Sequence, residues 1–450
     1  MVDEKLPVNM RIRALVLTAI VILSSITTVI ANDTVTTQNV EISGNYTMTG
    51  NYTVSHGTSL TIKPGAVIDM QDYWMDIEGD LIADNVTIMS SIQTTGPGSH
   101  NAGVWDSITI TSSGTADLDN VTISNAKSCL IVDGGLVAKN LDLQDCLIGI
   151  EVGGTATLDG FSASQIDIDG VRVTGDAEIS NGQLVMMSGG IQSSGDLVLD
   201  DIEFTDVGTG VSLSGGTADI STLDFNTGVG NAVSIASGVT GDIDGMAGES
   251  TNAIVSMDSS GFTISNVDMS GERLVNSWSA GDLTISNAVY DSKSGETPID
   301  IRTSGVVTLS NIVLTGSFNS QQGAFDAPWI GMALAGSGDY LIDSSSIDST
   351  DTALKASGTG TLSISESTFI SDRAGLSFSG ISETTLNEAV INISSGGDTG
   401  IDILQGSHTF TDVEVNMPYN QFSGESIGIN AWWCDIDAGE IKVNGFGAAV

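Results

Sequence analysis

The chain has 450 residues, with 56 acidic and 13 basic side chains and a formal charge of -43. So acidic a surface repels nucleic acid and anionic lipid, which argues against both as partners. Apolar residues make up 40% of the chain and recur periodically, which argues against a disordered acidic chain. We expect a folded protein with a solvated acidic surface, and binding of Ca²⁺ is a second interpretation of the acidity.

The first 31 residues have the pattern of an export signal. Arg11 and Arg13 precede an apolar run over residues 14–29, and small or apolar residues stand at the expected cleavage site. This run is slightly short for a membrane span. We expect residues 1–31 to be a cleaved signal peptide, with a retained membrane anchor as the alternative. Residues 32–450 then form the exported domain.

Six Asn-x-Ser/Thr triplets follow the signal, and such triplets accept N-linked glycans in exported proteins. Four of them crowd into residues 32–87, so we expect glycosylation at the N-terminal end. The six asparagines are Asn32, Asn45, Asn51, Asn85, Asn120 and Asn392.

A repeat then runs along the whole chain. A glycine that precedes a short apolar alternation recurs from Gly57 to Gly439, mostly every 19–24 residues. In Gly195–Leu213, an alternating segment leads to a polar corner at Asp200 and Asp201, and two further alternating segments follow. We interpret this stretch as one coil with three short strands. Three intervals are longer, and they begin at positions 79, 305 and 406.

The corner residue is the most regular part of the repeat. Five to seven residues after each glycine stands a slot that is filled mainly by Asn. Asn, Asp and Gly tolerate the left-handed backbone that a sharp bend requires, and stacked Asn amides can bond to one another. The slot residues are Asn85, Asn120, Asn140, Asn181, Asn266, Asn287, Asn311, Asn387, Asn444, Asp201, Asp412, Gly160 and Gly245.

Three short strands in every coil, stacked coil on coil, predict three parallel sheets around a narrow core. The repeat resembles the right-handed parallel β-helix family of exported microbial proteins. Residues 51–68 resemble its opening coil and residues 103–126 its Trp-containing coil. We therefore predict an all-β fold, a single right-handed parallel β-helix of about 17 coils of roughly 21 residues. This fold hosts lyases, hydrolases, epimerases, adhesins and passive surface proteins, so it implies no single function.

The C-terminal residues 439–450 start a coil and stop partway through it. We expect the chain to continue beyond this point in its native context or to be a fragment of a longer protein. Membrane contact is then expected only through the N-terminal segment or a missing C-terminal anchor.

The cysteines do not suggest a disulfide framework, because there are only three of them. In the repeat register, Cys129 occupies the slot of Gly149 and Cys146 that of Ala126, on neighbouring coils but about three residues out of step. A bridge between them needs an unusual geometry, so we expect buried small hydrophobic side chains and leave the pairing open. Cys434 is the third cysteine.

Catalytic signatures of polysaccharide-cleaving β-helices are missing. The basic residues are scattered, without an Arg-x-Pro-x-x-Arg arrangement, and the Gly-His-Gly and Arg-Ile-Lys elements of polygalacturonases do not occur. The pair Asp200 and Asp201 occupies the corner slot, which favours a structural role. Convergence of Arg302 or Arg373 with two carboxylates in a cleft would instead favour an enzyme.

Histidines and paired carboxylates offer no better site. The histidines lack metal-ligand spacing, and the i, i+2 carboxylate pairs match the outward face of a strand. We expect no catalytic residue, no metal site and no cofactor, with Ca²⁺ binding as the exception to test. The histidines are His56, His100 and His408, and the pairs are Asp167/Asp169, Asp242/Asp244 and Asp435/Asp437.

Aromatic residues concentrate in two of the long intervals. Loops on one side of a solenoid commonly form its binding face, and aromatic rings can stack on sugars. The alternative is that these rings cover a sheet or pack on a neighbouring domain. The candidate carbohydrate contacts are Phe325, Trp329, Tyr419, Phe422, Trp432 and Trp433.

The sequence thus predicts an exported, extracellular or cell-surface protein without catalytic activity. It would act as a structural stalk or as an adhesin or carbohydrate-binding module. Expected partners are polysaccharides or glycans and other surface proteins. The alternative is a polysaccharide lyase or hydrolase of the pectate-lyase-like class with an unrecognised site.

Overall fold

The computed structural model describes residues 33–92, 102–257, 261–316, 330–349, 351–394, 399–417 and 426–445. These residues form strands and no helix, and each strand pairs in parallel with the coils before and after it. The chain is a parallel β-solenoid of about 16 turns, which confirms the predicted fold.

The signal peptide predicted at residues 1–31 lies outside the described residues. Within the described ranges, no helix has the length and apolarity needed to cross a membrane.

The described residues contain 38 strands, many of which bend around a corner without a break. The first thirteen are β1 (Thr34–Thr36), β2 (Val40–Ile42), β3 (Asn45–Thr47), β4 (Tyr52–Val54), β5 (Ser59–Ile62), β6 (Val67–Asp69), β7 (Met75–Ile77), β8 (Asp80–Met89), β9 (Ile108–Ile110), β10 (Thr115–Ser124), β11 (Ser128–Val132), β12 (Gly135–Lys139) and β13 (Asp142–Gln144). The next thirteen are β14 (Ile148–Val152), β15 (Thr155–Asp159), β16 (Ser162–Val173), β17 (Asp176–Ser193), β18 (Asp196–Leu213), β19 (Thr217–Phe225), β20 (Asn231–Ile235), β21 (Thr240–Met257), β22 (Phe262–Ala280), β23 (Leu283–Ser292), β24 (Ile299–Thr303), β25 (Val306–Gly316) and β26 (Ile330–Gly336). The last twelve are β27 (Asp339–Asp343), β28 (Ser346–Asp348), β29 (Thr352–Gly358), β30 (Thr361–Ser365), β31 (Thr368–Ser371), β32 (Ala374–Ser379), β33 (Glu383–Asn387), β34 (Val390–Ile393), β35 (Thr399–Thr411), β36 (Val413–Asn416), β37 (Ile427–Ala438) and β38 (Ile441–Asn444).

Each coil crosses three faces, which we number in the order in which the coil reaches them after its glycine. In β18, residues 196–200 lie on face 1, residues 202–205 on face 2 and residues 209–213 on face 3. Apolar side chains alternate into the interior and polar side chains point outward, as the period of two requires. Stacked rings such as Phe204 and Phe225, whose centroids are 5.2 Å apart, fill the core between the faces.

The first corner, between faces 1 and 2, confirms most of the predicted slot. Its Asn and Asp residues have φ between 50° and 57°. The Asn120 amide Nδ2 donates to Asn85 Oδ1 at 2.9 Å, so the predicted Asn ladder exists. The residues confirmed at this corner are Asn85, Asn120, Asn140, Asn181, Asn266, Asn287, Asn311, Asp201, Asp412, Gly160 and Gly245.

Two slot predictions near the C-terminus are wrong. The left-handed residue is Glu388 rather than Asn387, because this coil has extra residues before its first strand β33. Asn444 lies on face 2, where it pairs with Asn416. Its coil has already crossed face 1 within β37, so Gly439 does not begin a coil.

A second column of left-handed residues forms the corner between faces 2 and 3, and the sequence did not reveal it. Its φ values lie between 53° and 70°, yet its positions share no residue type. The consensus that identified the first corner is therefore missing here. Its members include Asn125, Asp145, Gln165, Met186 and Asp206.

Glycines mark the third corner, between face 3 and the next coil, for a different reason. A Cβ on Gly154 would lie 2.2 Å from the carbonyl oxygen of Gly134, and a Cβ on Gly175 would lie 2.2 Å from that of Gly154. On Gly195 the corresponding distance, to Gly175, is 1.9 Å. At these positions the coils approach so closely that no side chain fits between them, which explains the glycine there. Gly57, Gly238 and Gly261 differ, because a Cβ on them would have no atom within 4 Å and their φ values of 72–82° are left-handed.

Cys129 and Cys146 form a disulfide, with Cα atoms 6.1 Å apart and both side chains fully buried. The predicted burial of both side chains is confirmed, and the pairing that the sequence left open is a disulfide bond. The repeat register compares positions along straight strands, whereas the chain bends at Asn125 and Asp145 just before these segments. The bend lets two side chains that are out of step meet in the core. Cys434 is free.

Each long interval separates a described strand on face 2 from a described strand on face 3. The chain leaves face 2 at the end of β8, β25 and β36, and it enters face 3 at the start of β9, β26 and β37. In all three cases the described strands on either side of the interval lie on faces 2 and 3.

Candidate functional site

Two of the six aromatic residues predicted to contact carbohydrate, Trp432 and Trp433, lie within the described residues. Both belong to strand β37, which begins at Ile427, and not to a loop. Trp432 lies on face 3, and Trp433 lies at the corner that follows it. Their side chains are 58% and 81% exposed. Phe325, Trp329, Tyr419 and Phe422 lie outside the described residues.

The two tryptophans differ in how they are held. The Trp432 indole Nε1 donates to Asn430 Oδ1 at 2.9 Å, and Asn430 Nδ2 donates to Asp402 Oδ1 at 2.8 Å. These bonds fix the Trp432 ring on face 3. Trp433 has a φ of 54°, which is uncommon for a bulky residue and places it at the corner beyond face 3.

A third exposed tryptophan, Trp278, was missed by the sequence reasoning. It lies in β22 on face 3, pairs with Arg302 of the next coil and is 60% exposed. It occupies an ordinary outward position of a coil without an insertion. The only available signal was a large aromatic residue at an outward position, where Ser, Thr and Asp are usual.

The paired carboxylates lie outward in two of the three cases, as predicted. Asp242/Asp244 and Asp435/Asp437 are exposed on face 1. Asp169 contradicts the expectation, because it is only 1% exposed. A register shift between Ile166 and Asp169 turns its side chain away from the outward row.

Asp169 is the centre of a polar cluster on face 3. Arg172 Nη2 donates to Asp169 Oδ2 at 2.5 Å, and Gln192 Nε2 donates to Asp169 Oδ1 at 2.7 Å. Arg172 also lies 3.5 Å from a Glu151 carboxylate oxygen. Gly189 leaves the space for Asp169, since a Cβ there would lie 2.3 Å from Oδ1. Both oxygens of the buried carboxylate are satisfied, which is the pattern of a structural ion pair.

A cavity of about 370 Å³ lies at the corner between faces 2 and 3. Glu249, Glu272 and Lys293 line it together with Ser250 and glycine backbone. Lys293 Nζ is also 2.7 Å from Asp291 Oδ2. Here a basic residue and two carboxylates share one concave surface.

The hydroxyl of Ser250, which lines this cavity, and that of Tyr290 are buried without a hydrogen-bond partner in the described part of the chain. Burial raises the pKa of Tyr290, and the nearby carboxylates of Glu272 and Asp291 raise it further. A buried hydroxyl without a partner costs stability.

Tyr290→Phe is therefore expected to stabilise the protein by about 1 kcal/mol, because it removes an unpaired buried hydroxyl and keeps the ring. Tyr340→Phe is the matched control. The Tyr340 hydroxyl is buried but donates to the Ala335 carbonyl, so its loss is expected to destabilise by about 1 kcal/mol. Denaturant unfolding of both variants measures the two changes, and equal shifts of the same sign would contradict the expectation.

The described residues contain no group of three or more His, Cys, Asp or Glu side chains that could hold a metal ion. His56 is exposed, His100 lies outside the described residues and His408 is buried inside β35. Burial lowers the pKa of His408, while a contact of Nε2 with the Gln405 carbonyl at 3.0 Å opposes this shift. Calcium binding stays a prediction.

The predicted glycosylation sites differ in their surroundings. Asn45 is exposed in β3, and Asn51 is half-buried. Asn85 and Asn120 belong to the first-corner ladder, and Asn392 accepts a hydrogen bond from Asn416 at 3.2 Å. Asn32 lies outside the described residues. Glycosylation at these positions stays a prediction, with Asn45 the least engaged.

Comparisons with known proteins give distant similarities only. No protein-family model matches the chain, and no characterised protein sequence matches it. Among solved structures, the catalytic domain of a GH87 alpha-1,3-glucanase in complex with tetrasaccharides is 11% identical, with a TM-score of 0.24. The match covers 92% of this chain and 65% of the glucanase chain, so this chain spans less than two thirds of it.

The Streptococcus pneumoniae surface protein and adhesin PfbA is 10% identical, with a TM-score of 0.21 over 90% of this chain and 91% of PfbA. At these identities and TM-scores, neither similarity assigns an activity to this chain.

Proposed function

We propose that the protein is an exported, extracellular or cell-surface β-solenoid that acts as a rigid stalk and binds saccharides through exposed aromatic side chains, without catalysis. One observation carries the proposal. The parallel register continues from Thr34 to Asn444 through every described segment. About 16 turns with a spacing of roughly 4.8 Å give a rod of about 75–80 Å.

Charge and covalent structure support a location outside the cell. The Cys129–Cys146 disulfide is typical of oxidising compartments. The formal charge of -43 favours solubility and disfavours nucleic acid and anionic lipid. The partners that we propose are glycans and other surface proteins.

Binding rather than catalysis is favoured by the environment of the basic residues. Arg172 lies between carboxylates, but its main partner Asp169 is buried and fully hydrogen-bonded. Arg373 pairs with Asp351 at 3.2 Å on the surface. In contrast, Trp278 and Trp432 present more than half of their side chains to solvent on one face.

A second candidate function, cleavage of a polysaccharide, is favoured by the cavity that Glu249, Glu272 and Lys293 line. Two carboxylates are the groups that glycoside hydrolysis requires, and a base beside carboxylates is the requirement of a lyase.

Incubation of the purified chain with soluble polysaccharides tests both functions. We expect retention by at least one polysaccharide without new reducing ends and without the ultraviolet absorbance of unsaturated uronates. Product formation that disappears in Glu249→Gln and Glu272→Gln would support the enzyme instead. Absence of both retention and product would contradict the proposed saccharide binding.

A further inference from the structure

One outward row of side chains crosses face 3 from the coil of Trp278 to the coil of Trp432. The strand pairings connect these two tryptophans through five intermediate coils. The row consists of Trp278, Arg302, Ala335, Ser357, Ser379, Leu404 and Trp432. Neighbouring coils are about 4.8 Å apart, so six steps separate the tryptophans by roughly 29 Å.

The row has the shape of a shallow trough. Its three central side chains, Ala335, Ser357 and Ser379, are small, whereas both ends carry a large exposed ring. Leu404, beside Trp432, is also exposed by 39%. Large apolar side chains on a protein surface mark binding sites more often when they are grouped than when they are scattered.

At one end of the trough the ring is held in place before any ligand arrives. The bonds from Trp432 to Asn430 and from Asn430 to Asp402 join three outward residues of two coils. A fixed ring loses little conformational freedom on binding, which favours affinity.

The charges within the two outward rows of face 3 cancel, although the whole chain carries -43. In the two outward rows of face 3 between these tryptophans, the charged residues are Asp300, Arg302, Lys355 and Asp402, two acidic and two basic. A polyanion meets an unfavourable field from the rest of the surface. An uncharged ligand meets hydroxyl, amide and aromatic groups without that penalty.

We infer that this row is the binding site of a linear, uncharged polysaccharide that lies along the solenoid axis, with sugar rings against Trp278 and Trp432 and the intervening chain over Ala335, Ser357 and Ser379. The inference rests on the proposed saccharide binding and adds its place, direction and ligand class.

Affinity electrophoresis of the full chain tests the site. Native gels contain hydroxyethyl cellulose, galactomannan or dextran as uncharged probes, or polygalacturonate as the charged one. We expect retardation by at least one uncharged probe and none by polygalacturonate. Trp278→Ala and Trp432→Ala are each expected to weaken binding at least about tenfold, because the bound ligand would cover both rings and truncation of such an aromatic contact commonly costs this much affinity.

Two controls separate the trough from the rest of the surface. Leu341→Ala removes an exposed apolar side chain on face 1, outside the row, and is expected to leave affinity within about twofold. Ser357→Glu places a charge in the middle of the trough and should abolish binding. Ser363→Glu makes the same change at an outward position of face 1 and should not. Circular dichroism confirms that each variant is folded.

The outcomes distinguish the two proposals. If the wild-type chain binds an uncharged probe but Trp278→Ala and Trp432→Ala bind equally well, this site is wrong and the saccharide-binding function stands. If only polygalacturonate retards the chain, the ligand class is wrong. If no probe retards the wild-type chain, both this site and the proposed saccharide binding are overturned.

Discussion

Gly134→Ala is expected to destabilise the protein by about 3 kcal/mol or more, whereas Gly135→Ala should be neutral or stabilising by up to about 1 kcal/mol. A Cβ on Gly134 would lie 2.2 Å from the Gly114 carbonyl oxygen and 2.3 Å from that of Thr111. On Gly135 the nearest atoms are side-chain atoms at 3.9 Å. The first methyl group collides with backbone that cannot move without displacing a whole coil.

The two glycines are adjacent in the sequence, yet we expect alanine to destabilise the protein at the first and not at the second, so the pair is a strict test. Denaturant unfolding gives the change in stability of both variants. Hydrogen exchange should place the loss for Gly134→Ala in the coils around this corner, since each coil contacts only its neighbours. Equal stability of the two variants would show that the coils can separate locally and that the periodic glycine has another cause.

Removal of the disulfide is the second change that is expected to lower the stability of the protein strongly. The double substitution Cys129→Ala and Cys146→Ala opens a loop of 17 residues, which should cost about 3 kcal/mol through the greater freedom of the unfolded chain. The control is Cys434→Ala, which removes the free cysteine and should change stability by less than about 0.5 kcal/mol.

Unfolding of the wild-type chain with and without reductant provides an independent measurement of the same difference. Reductant should shift the wild-type unfolding midpoint towards that of the double variant and leave the double variant unchanged. Coincident wild-type curves in both conditions, with thiol titration confirming full reduction, would contradict a stabilising disulfide.

Much of the solenoid could be predicted because every coil requires the same backbone conformation at the same position. Asn85, Asn120 and Asp201 occupy a backbone conformation that few residue types tolerate, so composition reports it directly. Met186 and Gln165 adopt a similar conformation at the second corner, but neither residue type favours it, so the composition does not reveal this corner. Where extra residues precede a strand, as before Glu383, the left-handed residue lies one position later than predicted.

The candidate site was harder to predict because it depends on which coils become neighbours. Trp432 was selected from its sequence context, although it lies in a strand rather than a loop. Trp278 stands 154 residues earlier, and only the accumulated register of seven coils places both on one row. The disulfide likewise depends on a bend in the backbone that spacing along the chain does not contain.

The regular spacing of paired residues has a consequence for how the chain folds. Asp176 pairs with Asp196, and other neighbours are similarly close in sequence. A typical separation of about 21 residues divided by 450 gives a relative contact order of roughly 0.05, which is below the range of helical bundles. An all-β protein with so local a topology need not search for distant partners. We expect it to fold by adding one coil at a time to whichever coil forms first.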